Sequence, residues 1–140
     1  MKKFLLAVFC VALIGCNSQN IDEIKGNTYV LNNAPEGLEI TITFDAEAPR
    51  FHGKAVNGYF GNYQVEGQDL KVMPIASTMM AAPEPLMKAE TTYFQNLQGM
   101  KKISLEGNTL TLSNDTTTLV FEKQIKIDVV EQISDIEFID

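Results

Sequence analysis

The stretch GKAVNGYFGNYQVEG, Gly53 to Gly67, carries four of the chain's nine glycines, with aromatic residues threaded between them. Gly53 and Gly58 have the spacing of a phosphate-binding P-loop. That motif, however, needs a lysine and a hydroxyl residue directly after its second glycine, and here Tyr59 and Phe60 stand in those places. Strand-like sequence also lies on both sides, where a helix N-terminus should follow. The glycines therefore read as residues that permit turns, bulges and close strand packing. RFHGKA and YFGNYQVEG become strands flanking Asn57-Gly58, and QDLKVMPIA a further strand across Glu66-Gly67-Gln68.

The same logic extends outward. TYVL from Thr28 is a short strand, and LEITITF sets Leu38, Ile40, Ile42 and Phe44 against Glu39, Thr41 and Thr43, the period of two that lays one face on a core. Leu86, Ala89 or Glu90, Tyr93 and Leu97 recur at three and four residues, behind prolines and ahead of Gly99, which predicts one helix over Pro85 to Leu97. Ile103 and Leu105 mirror Leu110 and Leu112 across Gly107-Asn108, a hairpin, and TTTLVFEK adds a strand through Leu119 and Phe121. The final stretch, IDVVEQISDIEFID, fits either a short helix or an added strand. The expected fold class is mainly β (α+β): a small antiparallel β-barrel or strongly curled sheet with one helix packed on it, with an open sheet crossed by a helix as the competing architecture.

At 140 residues, with 45% hydrophobic and 21% charged side chains, the chain suits one domain with a real core. Its net charge of −7 and the lack of a basic cluster after the first three residues argue against nucleic acid as a partner. Lys2 and Lys3 precede an apolar run from Phe4 to Ile14 that is too short to span a bilayer. Leu13-Ile14-Gly15-Cys16 resembles the lipobox of bacterial lipoproteins, which implies a signal peptide over residues 1–15 and lipid on Cys16. An uncleaved anchor with an incidental Cys16 is the alternative. Residues 16–26 then form the lipidated cysteine and tether, 27–123 the domain, and 124–140 a C-terminal extension packed on it.

Removal of the signal takes Cys10, and the lipid takes Cys16, so no thiol remains for a metal or a nucleophile. Nine basic against eighteen acidic residues would leave the mature chain at −9. Anchoring would then come from acyl chains, of which two or more hold stably. Asn17 after the cysteine favours outer-membrane sorting, with the domain facing the periplasm.

Candidate chemistry is sparse. His52 is the only histidine and reads as a strand residue. Ser77, Thr78 and Ser104 lack the setting of an activated nucleophile. Glu84 with Glu90, and Asp22 with Glu23, read as solvated surface charge, and Met79, Met80 and Met87 as soft apolar filling. No catalytic residue, metal site or cofactor is expected, and the protein is expected not to be an enzyme. A surface of Tyr59, Tyr63, Met79, Met80 and Tyr93 is the candidate for a ligand or partner, which in the alternative reading makes the protein a small apolar-ligand binding barrel.

Four ordered blocks, VNGYFGNY, PIASTMMAAPEP, ETTYFQNL and LEGNTLTL with TLVFEK, resemble the META domain, the family of HslJ-like bacterial lipoproteins. Asn57, Tyr59, Gly61 and Tyr63 fall on its first motif, Thr78, Met80 and Ala81 on its second, and Glu90, Phe94 and Leu97 on its helix. Val56 and Ala82 stand where many members carry cysteine, which suggests that the two positions are neighbours in space. The resemblance covers roughly Gly26 to Lys123. It implies a small antiparallel barrel with a helix, exported or lipid-anchored, with no common enzymatic reaction and links to heat shock, novobiocin tolerance, motility or secretion. The implied role is a monomeric, non-catalytic envelope protein, held to the membrane by its lipid and acting as a stress-tolerance or protein-interaction module on an envelope protein partner.

Overall fold

A computed structural model of the chain describes residues 20–125. Residues 1–15, read from the sequence as a signal peptide, Cys16 and most of residues 124–140 lie outside the described residues. Nine strands, β1 (Thr28–Leu31), β2 (Thr41–Phe44), β3 (Arg50–Lys54), β4 (Gly58–Glu66), β5 (Asp69–Val72), β6 (Ala76–Ser77), β7 (Lys102–Glu106), β8 (Thr109–Ser113) and β9 (Thr118–Lys123), accompany one helix, α1 (Glu84–Gln98). All pairings are antiparallel, and the order β3-β2-β1-β9-β8-β7-β5-β4 returns on itself through β3–β4, so eight strands close a barrel. The two-residue β6 continues the edge of β4 beyond β5. The narrowest seam is β5–β7, joined at Asp69↔Lys102, with an exposed ion pair of 2.6 Å between the same residues.

The opening stretch decides this closure. β4 alternates strictly, burying Tyr59, Gly61 and Tyr63 while Gly58, Phe60, Asn62 and Gln64 face outward. It pairs with β3 so that Phe51 lies opposite Gly61 and Gly53 opposite Tyr59. A Cβ on Gly61 would stand 2.8 Å from the Phe51 ring, and one on Gly53 would meet the Thr41 carbonyl and the Tyr59 hydroxyl. Each glycine is thus the floor on which a cross-strand aromatic ring lies. The rings continue as a column through the barrel: Tyr29 on Phe44 (6.0 Å), Phe44 on Tyr63 (5.5 Å), Tyr63 on Phe51 (6.3 Å), Phe51 on Tyr59 (6.2 Å), and Tyr59 on Phe94 of α1 (5.0 Å).

Both openings are covered. A 3-10 helix, Ile21–Ile24, is N-capped by Asn20, whose side chain accepts from the Asp22 N–H, and it buries Ile24 completely at the end where Gly26 N–H donates to Phe44 O. At the other end α1 inserts Glu90, Tyr93 and Leu97. The helix starts behind Pro83 with Pro85 in its first turn, and at its end the Gly99 N–H bonds back to Asn96 and Leu97.

Two sequence expectations shift. The strand expected over Leu38 to Phe44 begins only at Thr41, because the Leu38 N–H turns back to Pro35 O. Glu90 is not solvated surface charge: it is 5% exposed. The hairpin at Gly107-Asn108 has the expected register, Leu105↔Leu110 and Ile103↔Leu112, with Gly107 at φ +63°.

Candidate functional site

The polar centre of the molecule lies where the helix meets the barrel. Asn57, just ahead of β4, is 2% exposed. Its backbone N–H donates to Glu90 Oε2 at 2.6 Å and its Nδ2 to Glu90 Oε1 at 3.0 Å. On its other side Asn57 Oδ1 accepts from the Met80 N–H at 2.6 Å and from Thr78 Oγ1 at 3.1 Å. One side chain therefore ties the strand, the 78–80 loop and the helix together. Charge-assisted bonds to a carboxylate are the strong kind, and here they replace the water that the buried carboxylate gave up.

Beside this latch, Tyr59 donates its hydroxyl hydrogen to the Thr41 carbonyl at 2.6 Å. With that hydrogen committed, Tyr93 is the donor in the 2.7 Å bond between the two phenols. Burial pushes the hydroxyls of Tyr29, Tyr59, Tyr63 and Tyr93 above the ordinary 10.0, Tyr59 and Tyr93 most strongly, and these are all the tyrosines of the chain. The folded state thus prefers the protonated phenol. That preference contributes stability in full below pH 10 and loses it as pH rises through the folded values. In an alkaline titration the phenolate absorbance will remain low past pH 10 and then rise together with loss of the far-ultraviolet β signal. Independent titration of one or more tyrosines near 10 in the folded protein would contradict this packing.

The five residues expected to form a surface do not assemble as one. Tyr59, Tyr63 and Tyr93 are interior, at 2%, 5% and 3% exposure, because their rings build the aromatic column. Met79 and Met80 face solvent at 88% and 66% and are not core filling. Tyr63 lies toward the 3-10 helix, where its hydroxyl has no hydrogen-bond partner among the described residues and borders a cavity of about 130 Å³ with Asp22 and Pro49. His52 is exposed on β3 between Thr43 and Phe60. Among the described residues no group of three His, Cys, Asp or Glu side chains is placed to hold a metal ion. Val56 adjoins Asn57 in sequence, and Ala82 follows two residues after Met80, whose N–H Asn57 Oδ1 accepts.

Sequence reasoning missed the Asn57–Glu90 contact. The available signal was a carboxylate on the same helical stripe as Tyr93 and Leu97, a place where an unpartnered acid would be costly.

The family model of the META domain matches residues 16–126. Among solved structures, an NMR structure of a protein from Burkholderia xenovorans superposes with a TM-score of 0.64 at 20% identity, covering 74% of this chain and 86% of that one. A second NMR structure gives 0.59 at 21% identity, covering 74% and 94%. A crystal structure of a DUF4847 family protein from Bacteroides vulgatus gives 0.53 at 16%, covering 78% and 100%. At these identities the likeness is one of fold. No curated protein sequence matches the chain.

Proposed function

The chain belongs to the META domain family, and from that premise we propose that it is a non-catalytic, lipid-anchored protein of the bacterial cell envelope that serves as a protein-interaction module in stress tolerance. The observation that carries the reading is the placement of Leu13-Ile14-Gly15-Cys16, which ends at the residue where the family match begins and four residues ahead of Asn20, the cap of the 3-10 helix. A lipid on Cys16 would hold the barrel close to the membrane, on the outer-membrane side that Asn17 favours, facing the periplasm.

The non-catalytic part is supported by the use made of the buried polar groups. Asn57, Glu90, Tyr59 and Tyr93 spend their donors and acceptors on one another, on the Thr78 hydroxyl and on backbone. A carboxylate acting as general acid or base would need a face toward substrate, whereas Glu90 is enclosed by its own helix and by Asn57.

The test is metabolic labelling with a fatty-acid probe in cells expressing the wild type or Cys16→Ser. Label should be found on the wild type, fall to background in the variant, and be accompanied by loss of the protein from the membrane fraction. Label persisting on the serine variant would refute Cys16 as the attachment site. Crosslinking of intact cells in the same pair should give an envelope protein adduct that depends on Cys16, and an adduct equally abundant without the anchor would count against an interaction made at the membrane.

A further inference from the structure

Next to the latch, α1 and the rims of β1, β2 and β9 enclose an open groove of about 530 Å³. Its walls are mostly apolar, from Leu31, Pro35, Ile40, Pro85, Ala89 and Leu119, with Asn33, Thr92 and Asn96 also on the lining. Among the described residues the one charged side chain lining it is Lys88, which takes part in none of their ion pairs. A mostly apolar groove to which the described residues bring one such cation and no carboxylate selects an apolar occupant carrying negative charge, and it does so in an acidic protein.

The chain contains such an occupant. The family match ends at residue 126, and the following stretch, IDVVEQISDIEFID, Ile127 to Asp140, mixes seven apolar with five acidic side chains and has no lysine or arginine. We propose that residues 127–140 dock in this groove, with apolar side chains on Leu31, Pro35 and Ala89 and a carboxylate on the Lys88 ammonium. The Gln124 N–H donates to Thr28 O, so the chain leaves the described fold beside the start of β1, while Leu31 ends that strand at the groove. The return along the wall is on the order of 10 Å at strand rise. Fourteen residues reach about 46 Å extended or about 21 Å as a helix, so either conformation suffices. Tethering also supplies an effective concentration in the millimolar range, enough to fill the groove through modest contacts. The segment is then an internal competitor for any external ligand of the same chemistry.

The test is zero-length carbodiimide crosslinking of the full chain, which joins an amine to a carboxylate in contact with it, followed by peptide mass spectrometry. Crosslinks from Asp128, Glu131, Asp135, Glu137 and Asp140 should gather on Lys88, about fivefold or more above those on the exposed Lys71 and Lys101, as a local effective concentration requires. The rim variant Thr92→Glu, at an exposed helix position, should lower the Lys88 product severalfold without altering the fold. An even spread over the lysines, a concentration on another lysine, the lack of any such product, or a product linking two chains would each overturn the proposal.

Discussion

Replacing Asn57 with alanine will lower the unfolding free energy by about 3 kcal/mol, the upper end for stranding buried hydrogen-bonding groups, one of them a carboxylate, and the melting temperature by about 10–20 °C for a domain of this size. The magnitude follows from what is stranded. Glu90 keeps only the backbone N–H of residue 57, while the Met80 N–H and the Thr78 hydroxyl lose their shared acceptor. Asn57→Ala combined with Glu90→Ala should cost less than the sum of the two single changes, since the double variant strands no carboxylate, while the Met80 N–H and the Thr78 hydroxyl lack their acceptor in it as in Asn57→Ala alone. Strict additivity in that cycle, read by urea denaturation, would show that the contact carries no coupling. Because Lys88 and Ala89 directly precede Glu90, loss of the latch will also loosen one wall of the groove.

The fold was legible where sequence signals are local. The period of two ending at Phe44, the Gly107-Asn108 turn and the stripe ending at Leu97 each predict an element that the structure contains. Closure into a barrel was legible as a class, because many short strands with one helix have few other ways to bury one face each. What could not be read from the residues one at a time was which long-range pairs form. Glu90 and Asn57 are 33 residues apart, and the helical stripe that places Glu90 beside Tyr93 and Leu97 does not name Asn57 as its partner. Tyr59, Tyr63 and Tyr93 read as amphipathic surface for the same reason. A phenol carries both an apolar ring and a polar tip, and only the meeting of Tyr59 with the Thr41 carbonyl and Tyr93 turns them inward. The family blocks had already singled out Asn57, Thr78, Met80 and Glu90, and the hydrogen bonds give those four landmarks one physical reason.

The two glycines of the opening stretch should respond to substitution in different ways. Gly53→Ala will cost about 3 kcal/mol, at the upper end for overpacking a core, because the added methyl meets the backbone carbonyl of Thr41 as well as the Tyr59 hydroxyl, and the carbonyl cannot move without opening β2–β3. Gly61→Ala meets only the ring of Phe51. A ring edge can be shortened by mutation whereas a strand carbonyl cannot, so Phe51→Leu should recover part of the stability lost in Gly61→Ala, although Phe51→Leu alone is destabilising. No truncation of Tyr59 should do the same for Gly53→Ala, because Tyr59→Leu leaves the Thr41 carbonyl in place and also removes the phenol that bonds it. Thermal or urea unfolding of the four single and two double variants decides the matter. No rescue of Gly61→Ala by Phe51→Leu would mean that Gly61 serves backbone conformation and not the seating of a ring, and rescue of Gly53→Ala by Tyr59→Leu would mean that the Tyr59 ring, and not the Thr41 carbonyl, demands glycine at 53. With rescue confined to the Gly61 pair, glycine at 61 is dictated by the Phe51 ring opposite it and glycine at 53 by the close approach of the Thr41 carbonyl.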